Sequence, residues 1–234
     1  MLLPLEKLLA DAQVAAIRAA IDGAPFAAGV SSAVGSAARV KNNLQLPMQS
    51  DAAVKANKIL VAALREHSAF QSATYIASMT VPCFCRYEPG MNYGDHIDSP
   101  IMGAAPMLRT DISVTVSLTD AASYDGGELV IDVAGVPQRW KGNAGDCILY
   151  PSDTLHRVEP VTRGIRTVAI FWIQSLVRDP GKRRILYDLS RVLDHVGRAS
   201  PGETHTDLLR RSYMNLLRLW ADTPTATSPD PRSG

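Results

Sequence analysis

The hydrophobic period of this chain changes twice along its length. Up to about residue 67 the apolar residues recur at helical spacing, from residue 83 to 173 they alternate one in two, and from residue 185 the helical spacing returns. The middle stretch carries the fold. Across residues 111–118, Ile112, Val114, Val116 and Leu118 alternate strictly with Asp111, Ser113, Thr115 and Ser117, which is how an extended strand divides its two faces. CFCRYE (83–88) and residues 128–133, 146–150 and 164–173 read as further strands. A turn falls at Asp125-Gly126-Gly127, where glycine permits positive φ. Several short strands with no helices between them predict an antiparallel sandwich or barrel.

The flanks predict helices. Leu5, Leu8, Leu9, Val14, Ile17 and Ala20 fit one over residues 4–22, ended by Gly23-Ala24-Pro25. A second fits 51–67, with Val54, Ile59, Leu60 and Leu64 as its apolar face. After the strands, Ile185, Leu186, Leu189, Val192, Leu193 and Val196 form one stripe, and Leu208, Leu209, Leu216, Leu217 and Trp220 another. They predict a helical hairpin joined across 197–202, packed on the barrel, with self-association into a homo-oligomer through part of the surface. Pro224, Pro229 and Pro231 among Thr, Ser and Asp predict a disordered tail.

Composition excludes several function classes. Hydrophobic residues make up 46% and charged residues 20%, with a net charge of +1, so a core is expected but neither a nucleic-acid footprint nor a polybasic membrane patch. Three cysteines, Cys83, Cys85 and Cys147, are too few and odd in number for a disulfide framework, and suit a reducing compartment. Glu6, Lys7 and Asp11 interrupt the start before a signal-peptide apolar region could form. No apolar run reaches the roughly 18 residues of a spanning helix. The expectation is a cytoplasmic protein.

The chemistry concentrates in RYEPGMNYGDHIDSP, residues 86–100. His96 and Asp98 are two apart, so on an extended segment imidazole and carboxylate point to one face. A third ligand is available in His156, within PSDTLHRVEP. Two histidines and one carboxylate form the facial set of non-haem Fe(II) oxygenases and leave open positions on the metal. Zinc on the same set would serve hydrolysis and would need a general base; Asp95 is adjacent. Ten residues after His156, Arg166 shares a strand face with Val168, Ile170 and Trp172. A buried guanidinium is costly unless paired, and its fork suits a carboxylate. A dicarboxylate bridging metal and Arg166 explains it.

Plainer readings stand beside these. His96 and Asp98 taken alone read as a loop pair bonded to its own backbone, Arg166 as an edge-strand salt bridge, Tyr87 and Tyr93 as core tyrosines. Arg109 and Arg163 read as solvated or structural, Cys83 and Cys85 as packed thiols, and His67, His195 and His205 as surface or helix-end residues. A metal-binding jelly roll without catalysis, a cupin-like sensor or binding protein, is the alternative function; it has no need of Arg166.

His-x-Asp, a distal His and a basic residue ten positions on resemble the 2-oxoglutarate-dependent dioxygenases. The pieces VKNNLQL (40–46), RYEPGMNYGDHID (86–98), LRTDISVTVSL (108–118), DGGEL (125–129), GDCILYPSDTLHRVEPVTRGIR (145–166) and FWIQSLVRD (171–179) are similar to one branch, the bacterial PKHD-type hydroxylases, themselves similar to prolyl 4-hydroxylase catalytic domains. Residues 26–39 depart from the branch in being Ala/Ser-rich rather than aromatic. The resemblance implies a mainly β fold, a double-stranded β-helix (jelly-roll) core with flanking helices. The domain with its N-terminal helices would span 1–177, a C-terminal helical appendage 178–221 and the tail 222–234. His96, Asp98 and His156 would be catalytic and hold Fe2+; Arg166, with Tyr87, would hold the distal carboxylate of 2-oxoglutarate. The reaction implied is hydroxylation by O2 coupled to conversion of 2-oxoglutarate into succinate and CO2, with L-ascorbate as supporting reductant. Asp98 argues against the halogenating relatives, which leave that position open. The substrate is a small molecule or a peptide, decided by loops 26–39 and 99–108.

Overall fold

The computed structural model describes residues 2–32, 35–103, 107–199 and 202–222. The chain begins with β1 (Leu3–Leu5), α1 (Asp11–Ile21), β2 (Ala27–Ala28), α2 (Gly35–Arg39), β3 (Lys41–Asn42), β4 (Leu44–Gln45), α3 (Asp51–Glu66) and α4 (Ser68–Thr74). Then come β5 (Ile76–Met79), β6 (Cys83–Tyr87), β7 (Asn92–His96), β8 (Ile101–Met102), β9 (Leu108–Arg109), β10 (Ile112–Ser117), β11 (Asp125–Gly126) and β12 (Leu129–Val133). It ends with β13 (Val136–Trp140), β14 (Cys147–Pro151), β15 (His156–Val158), β16 (Val161–Arg163), β17 (Arg166–Ser175), α5 (Pro180–Ala199) and α6 (Thr204–Trp220). Two antiparallel sheets face each other in a jelly roll. The major sheet runs β1-β14-β10-β17-β6-β4-β2 with β5 also on β17; the minor sheet runs β13-β12-β15-β7-β3.

The strict alternation at 111–118 builds two cores rather than one wet and one dry face. All six residues of β10 are buried. Ile112, Val114 and Val116 join Phe84, Leu149, Phe171 and Ile173 under α1, α3 and α4, against Ile17, Leu60, Leu64 and Phe70. Ser113 and Thr115 point the other way, into the space between the sheets, where Cys83, Cys85, Tyr87, Ile131, Ile148, Tyr150 and Val168 form the second cluster. This inner space holds the functional residues.

Two expectations about the flanks are corrected. The helix expected over 4–22 begins only at Asp11. Residues 3–5 pair antiparallel with 147–149 instead. Pro4, which has no N–H to donate, is tolerated because β1 is an edge strand, and Lys7 takes a left-handed φ of 51° that no helix interior accepts. In α3 the buried face is Ala53, Ala56, Leu60, Ala63 and Leu64, while Val54 is exposed; small alanines let α1 and α3 approach closely, so the packing face is not the bulkiest one. The Ser50 hydroxyl caps α3 by accepting from the Ala53 N–H at 3.3 Å.

The C-terminal hairpin forms as α5 and α6, and α5 packs on α4. Arg183, buried, donates to the carbonyls of Val177 and Arg178 at 2.7 and 2.8 Å. Tyr213 meets Tyr75, hydroxyl to hydroxyl, at 2.9 Å. The tail expected at 222–234 lies, from residue 223 on, outside the described residues, as do parts of both entrance loops. Among the described residues no helix is long and apolar enough to cross a membrane.

Candidate active site

His96 and His156 are direct cross-strand partners at the centre of the minor sheet. Between them and the pair Val158–Tyr93 the register slips by one residue, a β-bulge in β7. The bulge turns Tyr93 and His96 to the same side, where their rings stack at 3.6 Å with planes 15° apart. Asp95 is thrown outward, where it pairs with Arg157 at 3.3 Å; it cannot serve as a general base at the cluster, so the structure gives a hydrolase no support there. Asp98 follows two residues after His96, with Ile97 exposed between them.

One ligand atom each from His96, Asp98 and His156 lies within 4.8 Å of the others, and among the described residues this is the one cluster able to hold a metal ion. The His96 Nδ1 meets the Gly94 carbonyl at 2.8 Å and the His156 Nδ1 the Thr154 carbonyl at 2.9 Å. Each Nδ1 therefore carries the proton, and each Nε2 presents a lone pair. His156 Nε2 and Asp98 Oδ2 are 3.8 Å apart, less than twice a metal–ligand bond of about 2.1 Å, so one ion can touch both. Burial, and then the neighbouring His156, push the His96 imidazole down to about 4, which keeps it neutral and ready to ligate at physiological pH. The Ser113 hydroxyl donates to Asp98 at 2.6 Å and stands 2.8 Å from the Ser152 hydroxyl; these fix the carboxylate's direction from the major sheet. Two imidazoles and one carboxylate fit a divalent ion with open positions.

Arg166 opens β17 and is 3% exposed, yet among the described residues no carboxylate pairs with it. Opposite it in register is Tyr87 of β6, whose ring centre lies 5.0 Å from the guanidinium carbon. Burial raises the Tyr87 phenol above its ordinary range, so it is a hydrogen-bond donor. Buried Tyr124 has its hydroxyl at the same guanidinium. Tyr150, edge-on to His156 at 5.0 Å, is likewise held protonated by burial and then by Asp98, and it senses Tyr87 and Arg166 as well; it lines the path between the two ends. Gly127, at φ 66°, packs directly on the arginine stem: a Cβ there would come within 3.1 Å of the Arg166 Cδ. The inner space thus has a metal-binding end and a cationic end rimmed with hydroxyls, suited to a dicarboxylate.

The sequence candidates sort cleanly. His96, Asp98 and His156 converge, and Arg166 and Tyr87 stand together. Arg109 is held in a fork by Asp111 at 2.7 and 2.9 Å, and Arg163 pairs with Asp125 at the surface. Cys83, Cys85 and Cys147 are free, buried thiols. The His67 Nδ1 caps α4 by accepting from the Phe70 N–H at 3.2 Å. Ser113, Ser152, Tyr124 and Tyr150 join the site only in the structure; Ser113 alone carries a sequence signal, the polar face of the alternating strand β10, whereas Tyr124 and Ser152 lie outside strands and Tyr150 sits on the apolar β14.

Comparison with known proteins agrees with this geometry. The model of the 2OG-Fe(II) oxygenase superfamily matches residues 83–174. A PKHD-type hydroxylase of Synechococcus sp. (strain JA-2-3B'a(2-13)) is 43% identical over 226 residues, covering 95% of this chain and 100% of that protein. A PKHD-type hydroxylase of Delftia acidovorans is 40% identical over 224 residues, covering 94% and 99%. Among solved structures, a Pseudomonas putida prolyl-4-hydroxylase superposes with a TM-score of 0.51 at 20% identity, over 74% of this chain and 92% of that one. A prolyl hydroxylase from Trichoplax adhaerens, solved with a hypoxia inducible factor peptide fragment, superposes with a TM-score of 0.57 at 16% identity, over 79% and 86%. At these identities the structural likeness speaks to the jelly-roll fold alone.

Proposed function

Because this chain belongs to the PKHD-type hydroxylases of the 2OG-Fe(II) oxygenase superfamily, we propose that His96, Asp98 and His156 hold its iron and that Arg166 with Tyr87 holds the distal carboxylate of 2-oxoglutarate. The protein is a 2-oxoglutarate-dependent dioxygenase, which couples hydroxylation by O2 to release of succinate and CO2. Iron with 2-oxoglutarate and O2 supplies the oxidising power when bound. The chain's own residues supply position and dryness. Arg166 neutralises one carboxylate of the co-substrate, and the Tyr87 and Tyr124 hydroxyls donate to the same end. Tyr150 and the Tyr93–His96 stack wall the space from water. Ser113, which also touches Ser152, donates to Asp98 and fixes the direction of a carboxylate that would serve as one of the ligands.

The observation that carries this reading is the buried, carboxylate-free Arg166 on the inner face of the major sheet, across from the two histidines on the minor sheet. The substrate is a small molecule or peptide entering between loops 26–39 and 99–108. L-Ascorbate is the supporting reductant in this reading. The cytoplasm is the expected compartment, on the strength of three unpaired buried thiols.

The test is anaerobic addition of Fe(II) and 2-oxoglutarate to metal-stripped protein, read by visible absorption. A charge-transfer band is expected in the unsubstituted protein, abolished by His96→Ala and weakened by Arg166→Ala. Tight metal binding without a band would leave the non-catalytic metal-binding jelly roll standing instead.

A further inference from the structure

The segment VKNNLQL (40–46) is similar to the PKHD-type branch and holds none of the metal ligands. It supplies β3 to the minor sheet and β4 to the major one, and between them stands Asn43. Its side chain is 4% exposed, and neither its amide nitrogen nor its amide oxygen has a hydrogen-bond partner. A buried primary amide with nothing to bond is costly, so an unpaired one requires a reason.

The register supplies it. Leu44 faces Arg86 and Gln45 faces Cys85, so the next step of the ladder sets Asn43 beside Tyr87. Tyr87 in turn faces Arg166. On the far side, Ala28 faces Leu44, and the Gly29 N–H donates to the Asn43 carbonyl at 2.8 Å. Gly29 and Asn43, one residue beyond the ends of β2 and β4, thus continue the line of the Tyr87–Arg166 pair across the sheet, and residues two apart such as Asn43 and Gln45 share a face. The amide lies close enough to the Tyr87 hydroxyl to favour its ionised form without the geometry of a formed hydrogen bond. Gly29 completes the case: a methyl there would collide with the Asn43 Oδ1, so the line keeps a gap into which the amide fits.

We propose that Asn43 is a third carboxylate-binding residue, its amide N–H donating to the distal carboxylate of 2-oxoglutarate beside Arg166 and Tyr87. The assignment rests on the Arg166 reading above. It gives VKNNLQL its function: this short crossover between the sheets carries a side chain that reads the length and charge of the co-substrate.

The experiment compares two keto acids on the anaerobic Fe(II) protein, with affinity read from the charge-transfer band. 2-Oxoglutarate has the distal carboxylate; 2-oxobutyrate chelates through the same keto-acid end and lacks it. Asn43→Ala is expected to weaken 2-oxoglutarate by about tenfold or more, the size of a hydrogen bond to a charged group, and to leave 2-oxobutyrate unchanged. Asn43→Asp, nearly isosteric and so the safer variant for folding, is expected to weaken 2-oxoglutarate further by setting like charges together, again sparing 2-oxobutyrate. Equal loss for both keto acids, or no loss for either, would overturn the assignment of Asn43 while the Arg166 reading stood. Absence of any band in the unsubstituted protein would overturn both.

Discussion

At the scale of single residues, the site is organised by which proton each side chain keeps. His96 is the clearest case, because its imidazole is pushed from 6.5 down to about 4, chiefly by burial. Its folded value lies below its unfolded one, so between these values the unfolded chain binds the extra proton. Stability of the metal-free protein therefore falls as pH drops from about 6.5 toward 4 and gains no further loss from this group below that. Urea unfolding at pH 7 and pH 5 should show the loss, on the order of a few kcal/mol at most, and His96→Gln should flatten it. An identical pH slope in the variant would contradict the assignment of that slope to His96. His96 and Asp98 are legible by their step of two, and His156 and Arg166, ten apart, by the order and spacing that resemble the 2-oxoglutarate-dependent dioxygenases. Tyr124, Tyr150 and Asn43 are not legible in that way. Tyr150 acquires its place from cross-strand register with Ser113, and Tyr124 and Asn43 from connections beside β11 and β4, all relations between segments far apart in sequence.

At the scale of elements, local pattern predicts strands well and burial less well. The strands at 83–88, 111–118, 128–133, 146–150 and 164–173 appear as β6, β10, β12, β14 and β17 within a few residues. Their alternation is visible because each face packs against a different layer. The start of the chain misleads because Leu5, Leu8 and Leu9 imitate a helical stripe, while Leu5 faces the core from a strand and Leu8 and Leu9 from the turn after it. Gly126 and Gly127 take φ of 70° and 66°, but the turn expected at 125–127 is not formed: Asp125–Gly126 are β11, paired irregularly with β16. The element that binds the rest is β17, which pairs with β10, β6 and β5. Phe171 on its outer face is fully buried and packs on Phe70 of α4, ring centres 6.4 Å apart. Phe171→Ala is expected to cost about 3–5 kcal/mol, seen as a large fall in the denaturant midpoint. A change under about 1 kcal/mol would show that the helical layer does not depend on this contact.

At the scale of the whole molecule, the helical layer covers one face of the major sheet and the minor sheet covers the other, so the site is enclosed by packing on both sides. The α5–α6 hairpin extends that layer through α4 but leaves Ile185, Val192, Leu208, Met214 and Leu219 exposed, which is where self-association is expected. Leu217, half-buried on α6, belongs to the same hairpin. Leu217→Asp should lower the melting temperature or reduce the mass seen by light scattering; if both stay unchanged, the hairpin contributes to neither. That the appendage exists was legible from its stripes. What its outer face meets was not, because an apolar stripe records that something is covered without recording by what.

The central place of β17 has a consequence for how the protein is made. It is the last strand among the described residues, yet it sits in the middle of the major sheet and begins with Arg166. A ribosome delivers β10 and β6 long before the strand that joins them, so both wait with open edges. The nascent protein thus passes through a stage when nearly every strand has been synthesised and the sheet still has a slot in it. Chains stalled before residue 166 are expected to be cut freely by protease, and chains stalled well past residue 175 to resist; equal resistance in both would mean that the slot closes some other way. Until that slot is filled Arg166, the residue proposed to anchor the co-substrate, is absent as well, so 2-oxoglutarate binding is expected only once the sheet is complete.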